Sequence, residues 1–187
     1  MKIFIKATAQ EASAAAGAFI GKAVAENPEI VLGLATGSTP LGLYGELIKL
    51  HKAGIDFSRV RSFNLDEYYG LPPTHEQSYR YFMNENLFKH INIDLANTRV
   101  PDGLAKDVPA ACKAYEAEMK AAGGVDIQVL GIGSDGHIGF NEPGSSLVSR
   151  TRLVSLTPST IRDNTRFFSS ESEVPRYAVS MGIGTVM

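Results

Sequence analysis

Along this chain, short apolar runs of strand length alternate with longer stretches in which apolar residues recur every three or four positions. In order they are KIFIK (2–6), TAQEASAAAGAFIGKAVAEN (8–27), EIVLGLA (29–35), PLGLYGELIKLHKAG (40–54) and VRSFNLDEYYG (60–70). A strand, a helix and a further strand in succession form the β-α-β pattern. The first helix is marked at its start by Thr8 with Glu11 three positions on, a capping box that satisfies N–H groups the helix leaves open. Further on, the pattern predicts helices over YRYFMNENLFKHI (79–91), over VPAACKAYEAEMKAAG (108–123) and from Pro158. Strands are predicted at VDIQVLGIG (125–133), TRLVSL (151–156) and YAVSMGIG (177–184). With no repeat, low-complexity tract or linker, residues 1–187 read as a single α/β domain: one parallel-rich sheet, helices on both faces, ligands at the carboxyl ends of the strands. The pattern halts just after a strand, where a covering helix would follow, so the chain is expected to lack a C-terminal segment of the intact protein.

Composition adds mainly exclusions. At 44% hydrophobic and 20% charged residues the chain has the make-up of an ordinary folded domain. Its 18 basic and 20 acidic residues give a formal charge of −2, which offers no electrostatic reason to bind nucleic acid or an anionic membrane. Any bound anion must be met by local groups. Cys112 is the single cysteine, which rules out an intramolecular disulfide and a CxxC metal pair and fits a reducing cytoplasm. The opening MKIFIKATAQ lacks the apolar core and cleavage site of a leader, and no apolar run reaches the roughly 18 residues of a membrane span. A cytoplasmic location is expected.

Candidate chemistry gathers at predicted strand ends. GIGSDGHIGFNEP (131–143) matches the G-x-G-x-x-G pattern of dinucleotide sites. A dinucleotide fingerprint, however, opens a helix at its third glycine, whereas here Gly139, Asn141, Pro143 and Gly144 follow and prevent one. The glycines instead let the backbone turn sharply and approach a small ligand. The same loop carries Asp135, His137 and Glu142, and a histidine oriented by carboxylates through one ring nitrogen can move a proton with the other. LGLATGSTPLGLY (32–44) runs from a strand through Thr36, Gly37, Ser38 and Thr39 to Pro40 and a helix, leaving N–H groups free for an anion without being a Walker loop. VRSFNLDEYYG places Asp66 and Glu67 just past a strand, where one carboxylate can serve as a general base while its neighbour points elsewhere. His75, in the polar turn PPTHEQS, reads as an exposed residue.

LGLATGSTPLGLY, FNLDEYYGLP, GIGSDGHIGFNEPGSSLVSRTR and the later TRFF, taken in that order, resemble the glucosamine-6-phosphate deaminases of the glucosamine/galactosamine-6-phosphate isomerase family. The resemblance runs from the first strand to the last residue. It implies a Rossmann-like αβα sandwich and the reversible conversion of glucosamine 6-phosphate and water to fructose 6-phosphate and ammonia, a carbon–nitrogen hydrolysis with aldose–ketose isomerisation. It also implies a place in amino-sugar degradation and N-acetylglucosamine utilisation, a sugar phosphate as partner, and neither metal nor organic cofactor. By motif, His137 is the ring-opening acid/base with Asp135 and Glu142 as its carboxylate shell, and Asp66 moves the proton between C2 and C1 through an enolamine. Thr36, Gly37, Ser38 and Thr39 form the phosphate cradle, and Arg166 clamps the phosphate from a mobile lid spanning 156–176.

The family also uses a lysine at the phosphate, in a segment that would follow Met187. Larger bacterial members bind an activator, N-acetylglucosamine 6-phosphate, through serine, arginine and lysine; Ser145 and Arg152 match, but Val154 stands at the lysine position. Activation is therefore expected to be absent, and a monomer or small homo-oligomer is expected in place of a hexamer. 6-Phosphogluconolactonases share the fold and the GSTP turn but have DER where residues 66–68 read DEY, and lack FNEP after DGH. A non-catalytic sugar-phosphate sensor would keep the phosphate turn and lose the acid/base groups, yet all four are present.

Overall fold

The computed structural model describes residues 1–133 and 135–187, leaving aside the side chain of Asp163. Helix α1 (Ala9–Glu26) begins as the capping box predicts: Thr8 Oγ1 accepts from Glu11 N at 3.1 Å, while Glu11 Oε2 reaches back to Ala7 N at 3.2 Å. Strand β1 (Val31–Leu34) is buried along its whole length and leads into α2 (Leu41–Lys52). Gly17 and Gly21 of α1 let the two helices approach closely, since a Cβ on Gly17 would lie 2.6 Å from Glu46 Cβ and one on Gly21 2.6 Å from Leu50 Cδ1.

β2 (Arg61–Asn64), β4 (Thr98–Arg99) and β5 (Ile127–Gln128) join β1 in a parallel sheet of order β4-β2-β1-β5. Helices α3 (Tyr79–Asn86) and α4 (Val108–Ala121) complete the covering layers, with Leu32, Leu34, Tyr44, Leu47, Met83 and Phe88 in one core and Val31, Phe63, Tyr115 and Met119 in the other. A parallel sheet buried on both faces by helices is the α/β sandwich that the alternating pattern predicts.

VRSFNLDEYYG does not continue as one strand. At Leu65 the chain leaves the parallel sheet and enters β3 (Asp66–Tyr68), part of a second, antiparallel sheet of order β3-β7-β6 with β6 (Arg152–Ser155) and β7 (Tyr177–Ser180). Leu65 belongs to both: its N–H donates to Leu34 O at 3.0 Å and its carbonyl accepts from Met181 N at 2.8 Å. Between β6 and β7 lie α5 (Pro158–Asn164) and 3-10 turns at Thr165–Phe167 and Glu171–Glu173; α6 (Ile183–Val186) follows β7.

Two further predicted strands differ. KIFIK forms no strand: Ile3, Phe4 and Ile5 are exposed, and among the described residues no strand lies alongside to complete a ladder. VDIQVLGIG is reduced to Ile127–Gln128, extended by one bond from Val129 N to Gly33 O at 2.8 Å. Its neighbour β1 ends at Leu34, so beyond that point no ladder partner remains and the chain turns away.

Replacing Gly17 by Ala tests whether packing or propensity governs the α1–α2 contact. Helix propensity alone favours Ala by about 1 kcal/mol. The overlap with Glu46 Cβ, an atom that cannot move without its backbone, should reverse the sign and destabilise by about 1 to 3 kcal/mol in chemical denaturation.

Candidate active site

The carboxyl ends of β2, β1 and β5 lie side by side, and the three segments leaving them build one cleft. One part, about 300 Å3, is lined by Thr36, Asp66, Tyr79, His137, Phe140 and Glu142 among others. It adjoins a second hollow of about 280 Å3 that shares Thr36, Tyr79 and Asn164 and adds Gly37, Ser38 and Arg166. The expected acid/base residues thus stand at one end and the expected phosphate residues at the other.

After β1 the chain is tied down by Tyr44, whose hydroxyl bonds to the backbone of Ala35. It then turns through Gly37, at a φ of +105° that favours glycine, into α2. Pro40 takes the cap position with helical φ and ψ, and no side chain caps the helix start, so its N–H groups stay open. Thr36, Gly37 and Ser38 face the hollow; Thr39, exposed, lines neither part of the cleft. Exposed Arg166 shares the hollow with them, its guanidinium 4.7 Å from the centre of the Phe167 ring.

Asp66 opens β3 directly after the Leu65 crossover and is only 7% exposed. Among the described residues no group donates a hydrogen bond to it, and burial first, then the charge of Glu67, push its carboxyl up to about 7. The loop carrying His137 comes against it: a Cβ on Gly139 would lie 3.3 Å from Asp66 Oδ2. Glu67 turns away from the cleft, as the alternation of a strand requires, and is buried against the start of α3.

In the 131–143 loop, His137 Nδ1 lies 2.7 Å from Asp135 Oδ1, which also accepts from His137 N at 3.1 Å. That backbone donor, with the ring behind it, holds the Asp135 carboxyl below its usual range. The imidazole lies over Gly133, where a Cβ would come within 2.2 to 2.6 Å of ring atoms, so glycine is needed for the ring to sit there. Ser134 of this motif lies outside the described residues. Glu142 Oε1 accepts from Thr157 and Thr160, each at 3.3 Å, and these two residues belong to the first turn of α5. Asp135, His137 and Glu142 each bring a ligand atom within 4.8 Å of the others, which makes this trio the place where an ion could be held and equally a compact proton relay.

Several participants carried no signal in the sequence. Tyr79, Phe140, Thr160 and Asn164 line the cleft only because α3, the histidine loop and α5 converge there. Tyr68 packs against Tyr79, Phe140 and Phe168 in tilted and edge-on contacts, with ring centres 4.8 to 6.0 Å apart, joining β3, α3, the loop and the 156–176 segment. The triplet FNE in the loop hid a buried role for Asn141, whose side chain donates to Met181 O at 2.7 Å and accepts from Arg152 at 2.9 Å. Arg152 is therefore engaged internally, and Val154 packs against the cluster around Tyr68 and Leu156. His75 is exposed, as read, and lies stacked on Phe168 with ring centres 6.4 Å apart.

The chain is similar to known proteins along its whole length. Residues 5–166 match the model of the family described as glucosamine-6-phosphate isomerases/6-phosphogluconolactonase. A glucosamine-6-phosphate deaminase of Thermoanaerobacter sp. (strain X514) is 53% identical over 188 residues, spanning 100% of this chain and 74% of its own length. One of Shewanella woodyi (strain ATCC 51908 / MS32) is 55% identical over 186 residues, covering 99% of this chain and 70% of its own. Among solved structures, a monomeric glucosamine-6-phosphate deaminase superimposes with a TM-score of 0.97 at 43% identity, over 100% of this chain and 78% of its own. A 6-phosphogluconolactonase from Thermotoga maritima gives 0.67 at 25%, over 97% and 76%.

The folded chain keeps the Asp66 proton up to about pH 7, while an unfolded carboxyl releases it near its ordinary value of 3.8, so folding stability falls as pH rises between the two. Asp66→Asn removes that loss. Its melting temperature relative to the unsubstituted chain should climb between pH 5 and pH 8 by at least about 2 to 4 °C, the effect of roughly 1 kcal/mol in a domain of this size.

Proposed function

The chain belongs to the glucosamine-6-phosphate isomerase/6-phosphogluconolactonase family, and we infer that it is a glucosamine-6-phosphate deaminase, an enzyme that releases ammonia from glucosamine 6-phosphate and leaves fructose 6-phosphate. What supports this reading most is that two titratable groups, Asp66 and His137, line one cleft whose far end carries Thr36, Gly37, Ser38 and Arg166. An amino sugar must first open its ring and then shift a proton between adjacent carbons. Each step needs its own group.

In this reading the phosphate rests on the Thr36–Ser38 turn and the open N–H groups of α2, with Arg166 as a charged hydrogen-bond donor. The sugar then extends toward Asp66 and His137. His137, its Nδ1 engaged by Asp135, passes a proton to and from the ring oxygen through Nε2, and Glu142 stands by to stabilise the charged imidazole. In the open-chain form Asp66 takes the proton from C2 and returns it at C1 through an enolamine; a buried base poised near neutrality suits that task. The resulting imine at C2 takes up water and loses ammonia. The chemistry needs neither metal nor organic cofactor.

The 156–176 segment acts as a lid, since it contributes Arg166 to the phosphate and Thr157 and Thr160 to Glu142. No helix among the described residues is long and apolar enough to cross a membrane, and the reading places the enzyme in the cytoplasm, in amino-sugar degradation.

Coupled detection of ammonia and fructose 6-phosphate from glucosamine 6-phosphate tests the activity. Asp66→Asn should lower kcat by about two to four orders of magnitude, the usual effect of losing a positioned base. His137→Gln should slow the cyclic substrate far more than an open-chain analogue; equal losses on both would remove His137 from ring opening.

Arg166→Ala should leave kcat nearly unchanged and raise KM by roughly ten- to a hundredfold, because a charged hydrogen bond of about 1.5 to 3 kcal/mol to the phosphate serves ground and transition states alike. Unaltered affinity for fructose 6-phosphate in this variant would take Arg166 out of the site.

A further inference from the structure

Glu67 is more deeply buried than Asp66 beside it, at 2% exposure, yet it has no cationic side chain within ion-pair distance among the described residues. Three backbone N–H groups hold it instead. Oε1 accepts from Tyr68 N at 2.9 Å and Tyr79 N at 2.8 Å, and Oε2 accepts from Arg80 N at 2.9 Å. Ser78 Oγ takes the next donor, Tyr81 N, at 3.0 Å, so the first three N–H groups of α3 are satisfied by one carboxylate and one hydroxyl. The side chain of Arg80 then runs on to the parallel sheet, bonding Thr98 Oγ1 at 2.7 Å and Thr98 O at 3.0 Å. Gly103 closes the other side: a Cβ there would lie 2.4 Å from Tyr68 O and 3.2 Å from Glu67 Cγ.

Burying a second carboxylate next to the catalytic one is unfavourable, and Ser78 already supplies the helix cap. A purely structural acceptor could be neutral. Resting on Asp66 as the base, we propose that Glu67 is a positioning residue for the reaction: anchored on the start of α3, it locks Tyr79 and Asp66 into one wall of the cleft and keeps a second negative charge next to the base.

Two consequences follow from the geometry. Burial raises both carboxyls to about 7; the N–H groups of Tyr79, Arg80 and Tyr68 and the charge of Arg80 pull on Glu67 alone, while the charge of Glu67 adds to the rise at Asp66, so the two titrate as a coupled pair. The other groups facing Asp66 are Tyr44 from α2, Tyr68 from its own strand, Tyr79 from α3 and Tyr115 from α4, with His137 and Glu142 across the cleft. Burial holds all four tyrosines above their ordinary range, so they stay neutral in the working range. Glu67 is thus the carboxyl nearest the base, and on its own element the only one coupled to it.

The test measures ammonia release from glucosamine 6-phosphate against pH in the active enzyme and in Glu67→Gln and Glu67→Asp. Glu67→Gln keeps an oxygen for Tyr68 and Tyr79 but loses the charge, which should move the acid limb of kcat/KM to lower pH by about one unit and lower the plateau kcat several-fold. Glu67→Asp keeps the charge and shortens the reach; its limb should stay in place while kcat falls about tenfold. Ionisation of the substrate phosphate is common to all three enzymes and cancels in the comparison. A limb that stays put in a folded Glu67→Gln enzyme overturns the proposal, and so does full kcat in Glu67→Asp, which decides the matter if the Gln variant does not fold. Substantial activity in Asp66→Asn would instead overturn the assignment of the base, an outcome read from a separate enzyme.

Discussion

The two sheets of this molecule meet at the backbone of Leu65, which gives its N–H to the parallel sheet and its carbonyl to the antiparallel one. A buried peptide must place both polar groups, and here each is placed in a different layer. The next residue, Asp66, is thereby held at the seam, paired opposite Ser180 of β7 and roofed by the histidine loop at Gly139. Its burial, and with it a proton affinity suited to a base at neutral pH, follows from that crossover. Shifting the change of sheet by one residue would turn Asp66 away from the cleft and bring Glu67 into it.

The two ends of the cleft carry different groups. An anion requires donors, and the turn after β1 carries backbone N–H groups at a helix start, with the exposed guanidinium of Arg166 lining the same hollow. Proton transfer requires titratable groups whose orientation is fixed, and here the glycines matter most. Gly133 gives room for the imidazole and Gly139 lets the loop backbone lie against Asp66. The G-x-G-x-x-G spacing that invites a dinucleotide reading therefore serves a side chain of the same loop. The aromatic cluster of Tyr68, Tyr79, Phe140 and Phe168 joins this end to the segment carrying Arg166.

Features that depend on residues a few positions apart were legible in the sequence. The alternation of apolar runs gave the α/β class, Thr8 and Glu11 marked the start of α1, and the order of the motifs placed Asp66, Asp135, His137, Glu142, Thr36 to Ser38 and Arg166, all of which the fold brings to one cleft or directly behind it. The contact between Asp135 and His137 spans two residues, so proximity along the chain implied it. What the sequence could not decide was pairing over long separations. KIFIK has a strand's pattern and no partner among the described residues, VDIQVLGIG loses its partner where β1 ends, and VRSFNLDEYYG reads as one strand although its two halves lie in different sheets. Likewise nothing local reveals that Glu67 holds N–H groups twelve and thirteen residues away, or that Glu142 meets Thr157 and Thr160. Hydrophobic period and capping are properties of a segment and can be read from it, whereas a ladder or a buried carboxylate exists only when distant donors arrive, and their arrival is decided by how the layers pack.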